Sequence, residues 1–87
     1  MARYNLGNVL LELNRPAEAL PECKAAVRLR PDLVEARMAL GTALALLGRL
    51  DEAQASYEEA LRQRPGEPLA RINLDRLRAQ RAGAAGR

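Results

Sequence analysis

Few side chains in this sequence could carry a reaction. There is no histidine, and cysteine, serine and threonine occur once each, as Cys23, Ser56 and Thr42. An activated nucleophile needs a base within hydrogen-bond reach, and the residue type that most often serves is missing. Cys23 shares a helical stripe with Ala19 and Ala26, which makes it a small buried hydrophobe rather than a nucleophile. Glu58 and Glu59 are adjacent in sequence. Neighbouring positions on a helix do not face each other, so this pair is a solvated outer face rather than an acid/base couple. No Gly-rich phosphate loop and no Cys/His set at metal-ligand spacing occurs. The expectation is a protein that is not an enzyme, with no catalytic residue, no cofactor and no metal.

Charge is the next candidate for function. The chain carries a formal net charge of +3, and its basic end is C-terminal, where Arg71, Arg76, Arg78, Arg81 and Arg87 meet only Asp75. Arg28, Arg30, Arg62 and Arg64 fall at the ends of predicted helices, where a cation complements the helix dipole. No aromatic side chains interleave the C-terminal arginines to stack on bases. A nucleic-acid contact by the basic C-terminal helix is therefore the weakest of the readings.

The elements that must position these side chains are helices. Hydrophobic residues make up 48% of the chain but aromatics only 2%, and the apolar share is Leu and Ala, strong helix formers with little β preference. The longest nearly apolar run, Met38 to Gly48, falls short of the roughly 18 residues of a membrane-spanning helix. Asn5, Asn8 and Glu12 interrupt the N-terminal run, so neither an export signal nor a membrane segment is expected. With one cysteine unable to form an internal disulfide, a reducing compartment fits, and the expected location is cytoplasmic.

The chain repeats itself. Leu6 over Leu40, Gly7 over Gly41, Leu10 over Leu44, Ala19 over Ala53, Ala26 over Ala60 and Pro31 over Pro65 all share one offset of 34 residues. Within each unit the apolar residues step at helical spacing twice, first as Leu6, Leu10, Leu13 and then as Ala19, Cys23, Ala26. Between the two helices stand Asn14 and Gly48, residue types that accept the left-handed conformation ending a helix. Pro16, and Asp51 with Glu52, open the second helices, and Pro31 and Pro65 close them. Asp32 with Glu35, and Glu67 before Pro68, announce the helices that follow. These signals predict helices over 2–13, 16–29, 34–47, 50–63 and 68–81.

On these residues the sequence resembles the tetratricopeptide repeat family. Leu6-Gly7, Leu10, Ala19, Cys23, Ala26 and Pro31 match its signature, as do Leu40-Gly41, Leu44, Ala53, Tyr57, Ala60 and Pro65. Arg3 and Arg37 stand where the family often has tryptophan, and Cys23 where it has a large aromatic. The resemblance implies an all-α, helix-turn-helix solenoid of two antiparallel hairpins plus one capping helix. Repeat one would be 1–33, repeat two 34–67 and the capping helix 68–82, with 83–87 a flexible tail. In the capping helix Asp75 and Arg78 replace the Gly41 and Leu44 of the earlier unit, giving a polar back that closes the stack.

In this fold the first helices of the hairpins line a concave groove. By resemblance its walls here are Tyr4, Asn8, Leu11 and Glu12 from the first, then Glu35, Met38, Thr42, Ala45 and Leu46 from the second. Leu69, Ile72 and Arg76 come from the last. Met38 and Leu46 lie off the packing stripe of Leu40, Leu44 and Leu47, which points to surface left for a partner. Some relatives grip a chaperone's C-terminal carboxylate with a clamp of lysines, asparagines and an arginine. The clamp positions here carry Tyr4, Asn8, Ala39, Leu69 and Asn73, which supply no cation, so that mode is rejected.

The expected function is a non-catalytic protein-interaction module, a piece of a longer repeat protein, that holds a peptide or helix in the groove. The alternative is self-association into a homo-oligomer. Met1 falls inside the first helix without a capping residue, and Leu6, Val9, Leu10, Leu11 and Leu13 spread over several faces, so that helix expects a cover.

Overall fold

The computed structural model describes residues 2–85 and contains, among them, five α-helices and no strand. They are α1 (Ala2–Glu12), α2 (Pro16–Leu29), α3 (Val34–Leu46), α4 (Leu50–Gln63) and α5 (Pro68–Ala85). Met1, Gly86 and Arg87, on which the readings of an uncapped start and of the far end of the tail fall, lie outside the described residues.

The turns within the hairpins follow from two residues with positive φ, Asn14 at 58° and Gly48 at 79°. Around Asn14 the Arg15 N–H donates to the Leu10 carbonyl at 2.8 Å and the Asn14 N–H to that of Leu11 at 2.9 Å. Around Gly48 the Arg49 N–H reaches Leu44 at 2.9 Å and the Gly48 N–H reaches Ala45 at 3.0 Å. Both are Schellman closures, in which a left-handed residue turns the chain back to satisfy the last helical carbonyls. Asparagine and glycine meet the same backbone demand one repeat apart.

Helix starts differ from expectation in one place. Asp32 does not cap α3, whose N-cap is Leu33 with no side-chain hydrogen bond. The Asp32 carboxylate is drawn instead to the Arg30 guanidinium at 3.2 Å, a charge-assisted bond that outcompetes a neutral N–H donor. Glu67 does act at the start of α5, accepting the Leu69 N–H at 3.2 Å.

Helices α1 and α2 form one hairpin and α3 and α4 the next; α3 packs on α2, and α5 packs on α4. The first helices α1, α3 and α5 also touch their neighbours in series, whereas α2 and α4 have no contact with each other. That asymmetry curves the stack and puts α1, α3 and α5 on its inner wall. The core is correspondingly strung out, one cluster around Cys23 with Ala19 and Ala39, one around Met38 with Val34, Ala60 and Ala70, and one around Tyr57 with Leu44, Leu74 and Leu77.

Small residues allow the hairpins to close. A Cβ on Gly41 would stand 2.6 Å from Tyr57 Cε1, and one on Gly7 would stand 2.9 Å from Cys23 Sγ. The two contacts are equivalent in the repeat, and their size difference follows the residue that receives the glycine. Arg37, in the family's tryptophan position, leaves its Nε buried without a partner.

The capping helix runs further than expected. Gly83, Ala84 and Ala85, read as the start of a flexible tail, continue α5. Gly83 does not stop the helix here, and Ala82, Ala84 and Ala85 around it favour continuation. The polar back of α5 finds partners on α4, through the ion pairs Arg78 with Glu58 at 3.6 Å and Arg81 with Asp51.

Candidate functional site

The inner wall carries two adjoining hollows. The larger, of about 320 Å³, is walled by Tyr4, Asn8, Leu11 and Glu12 of α1, by Glu35, Met38, Ala39 and Thr42 of α3, and by Leu69 and Asn73 of α5. The smaller, of about 150 Å³, takes Ala45 and Leu46 from α3, Tyr57 from α4, and Arg76, Leu77 and Gln80 from α5. Thr42 and Asn73 belong to both, so they form the partition between them. Within α1, α3 and α5 the lining residues recur at three- and four-residue steps, such as Tyr4, Asn8 and Leu11 or Leu69, Asn73, Arg76 and Gln80, which is the spacing that places side chains on one face.

Of the residues expected along the groove, only Ile72 lines neither hollow; it is 43% exposed on α5. Ala39 and Asn73, set aside with the rejected clamp, are wall residues, and so are Tyr57, Leu77 and Gln80. Tyr57 and Leu77 look like pure core in sequence because they sit on packing stripes. Their exposure to the hollow depends on how far the α3/α5 contact opens, for which the sequence holds no signal. Gln80 was legible, lying four residues beyond Arg76 and eleven beyond Leu69 on the same helix.

Met38 is not the free surface residue its position suggested. It is only 9% exposed and packs with Val34, Ala60 and Ala70, because α5 lies close enough to α3 to cover it. Leu46 is 54% exposed and Leu69 57%, and these supply the open apolar surface of the two hollows.

The partition is fixed by a hydrogen-bond relay. Thr42 donates its hydroxyl to the Met38 carbonyl at 3.0 Å. Its only proton is thereby used, so the Tyr57 hydroxyl, 3.0 Å from Thr42 Oγ1, is the donor in that pair. Tyr57 keeps its oxygen lone pairs for the smaller hollow, and burial pushes its pKa up, so the phenol stays protonated.

The charges are laid out unevenly. Glu35 is paired with Arg64 at 2.9 Å, and that hydrogen bond, with one from its own backbone, holds its carboxyl below the usual carboxylate range. Arg64 is shared with Glu67 at 3.0 Å. Glu12 and Arg76 take part in no ion pair among the described residues. The clamp positions all face the larger hollow except that none offers a cation.

Elsewhere the chemistry is quiet. Cys23 is 1% exposed, and burial, followed by the neighbouring Glu22, pushes its thiol up to about 11. Glu59 pairs with Arg62 and Glu58 with Arg78, so these carboxylates serve surface ion pairs. Among the described residues no His, Cys, Asp and Glu group could hold a metal ion, and no helix is long and apolar enough to cross a membrane.

Comparison with known proteins places this architecture. Residues 4–68 match the tetratricopeptide repeat family profile. The human DnaJ homolog subfamily C member 3 is 28% identical over 95 residues, covering 99% of this chain and 19% of its own length. Among solved structures, the first TPR of Spaghetti (RPAP3) bound to HSP90 peptide SRMEEVD is similar with a TM-score of 0.87 and 28% identity, over 92% of this chain and 64% of that one. YrrB, described as a TPR protein with an unusual peptide-binding site, has a TM-score of 0.87 and 38% identity over 91% of this chain and 41% of its own. The chain thus spans less than a fifth of the curated relative and less than two thirds of either structural neighbour.

Proposed function

Because this chain belongs to the tetratricopeptide repeat family, we propose that it is a non-catalytic interaction module that holds a peptide or helix of another protein against α1, α3 and α5, in the cytoplasm, as a piece of a longer repeat protein. The observation that carries this is the pair of adjoining hollows on the inner wall, apolar at Leu46 and Leu69 and edged by polar groups. Such concave, mostly apolar surfaces with a few placed polar groups are what peptide recognition needs. Two structural neighbours described as holding or accommodating peptides share this fold at 28% and 38% identity.

The test is selection of a phage-displayed random heptapeptide library on the protein, followed by affinity measurement of the selected peptides. Leu46→Ser with Leu69→Ser removes apolar wall at two positions that are more than half exposed. The variant should fold normally and bind selected peptides about tenfold or more weakly, as expected from losing two partly buried leucine contacts. Unchanged affinity would place the binding surface elsewhere.

A second reading, self-association, has its own observation. Leu6 and Val9 of α1, and Leu13 in the turn just beyond it, are 46%, 49% and 59% exposed. They occupy the repeat positions of Leu40, Ala43 and Leu47, and of Leu74 and Leu77 in α5, several of which are buried against the preceding hairpin. A face of that kind can pair with another copy. Sedimentation velocity over a hundredfold concentration range decides: a constant monomer mass ends this reading. The nucleic-acid reading loses ground, since Arg78 and Arg81 are engaged with Glu58 and Asp51.

A further inference from the structure

The larger hollow has a charge opposite to what an acidic peptide would need. Glu12 and Glu35 stand on two of its walls, contributed by α1 and α3, and no lysine or arginine lines it. The cation paired with Glu35, Arg64, is divided between Glu35 and Glu67, so these two carboxylates share one guanidinium. Glu12 has no ion-pair partner among the described residues. The remaining polar lining offers acceptors, the amide oxygens of Asn8 and Asn73, and the ring of Tyr4, whose face attracts a cation. Arg76 belongs to the smaller hollow only, so the groove changes sign across the Thr42/Asn73 partition.

Resting on the groove reading above, we propose that the larger hollow receives a basic side chain, lysine or arginine, of the bound peptide. The aliphatic stem of that side chain lies along Leu11, Met38 and Leu69, and its charged end meets the carboxylates of Glu12 and Glu35. Long basic side chains are suited to such a site because an apolar stem and a charged tip are satisfied by different walls. The acidic peptide SRMEEVD, held by a structural neighbour, would bring like charge to Glu12 and Glu35 and is selected against.

The heptapeptide selection is run in parallel on the unaltered protein, on Glu12→Gln with Glu35→Gln, on Glu12→Gln alone and on the Leu46→Ser/Leu69→Ser variant, each checked for folding by circular dichroism. The expected result is a pool in which lysine or arginine accompanies apolar residues. Its affinity should fall about fivefold on the double glutamine variant, consistent with the loss of partly exposed charge pairs, with a smaller fall on Glu12→Gln alone. Affinity on the unaltered protein should also weaken as salt is raised. A pool rich in aspartate or glutamate, a pool without basic residues, or a basic pool that binds the glutamine variants undiminished would overturn the assignment. If the serine variant still weakens binding about tenfold or more in those cases, the groove stands and only its preference for a cation is lost. If no peptide is selected at all, or the serine variant selects as well as the unaltered protein, both readings fall.

Discussion

At the scale of single residues, the repeat is held by two glycines in unequal settings. The hydrogen that Gly41 presents to the Tyr57 ring leaves no room for a methyl group, and that ring is 4% exposed and tied by its hydroxyl to Thr42. Gly41→Ala should therefore destabilise the protein by about 1–3 kcal/mol, the usual cost of overpacking. At Gly7 the obstacle is the Cys23 sulfur, the end of a short side chain that can rotate, and helix propensity favours alanine by about 1 kcal/mol. Urea unfolding should rank Gly7→Ala clearly milder than Gly41→Ala; equal losses would contradict the contact with Tyr57. Cys23 gives a second residue-scale prediction. With its pKa pushed up from 9.0 to about 11, its thiolate fraction at pH 8 is about a hundredfold below that of an unperturbed thiol. Iodoacetamide should label the native protein correspondingly slowly and the urea-unfolded protein at the ordinary rate. Fast native labelling would show the α1/α2 hairpin to be open.

At the scale of elements, α2 carries a proline in its interior, Pro21, where the equivalent position of α4 is Ala55. Proline there removes a hydrogen bond to the preceding turn and crowds its carbonyl. The helix persists because Ala19, Cys23, Ala25 and Ala26 are buried against its neighbours, so packing overrides propensity. Pro21→Ala should stabilise the protein by about 1–3 kcal/mol, read as a rise in the urea midpoint without a change of slope. A fall would mean that proline restricts the unfolded chain more than it strains the helix. Boundaries were legible at this scale wherever a stop had a backbone cause. Asn14 and Gly48 end α1 and α3, with Leu13 and Leu47 falling in the turns just outside the helices rather than in them. Where the stop was inferred from composition alone, at Gly83, the helix continued.

At the scale of the whole molecule, stability passes from hairpin to hairpin, since α2 touches α3 and α4 touches α5 but α2 and α4 do not meet. Such a stack is close to one-dimensional. Leu74, 2% exposed in the cluster with Leu44, Tyr57 and Leu77, joins α5 to the second hairpin. Leu74→Ala should cost about 2–5 kcal/mol, and hydrogen exchange should show the loss of protection concentrated in α4 and α5, with α1 and α2 less affected. Uniform loss would indicate a single cooperative core. The repeat of 34 residues and the five helices were determined by sequence, because helix period, turn residues and small side chains at close crossings are local demands that the chain states position by position; the series of helices on the inner wall was implied by the family resemblance. What tertiary structure alone decided is how the walls meet. Burial of Met38, the opening of Tyr57 and Leu77 onto the smaller hollow, and the sharing of Arg64 between Glu35 and Glu67 depend on the distance and tilt between α3 and α5. That distance is the sum of many side-chain contacts from two hairpins, and no short stretch of sequence contains it.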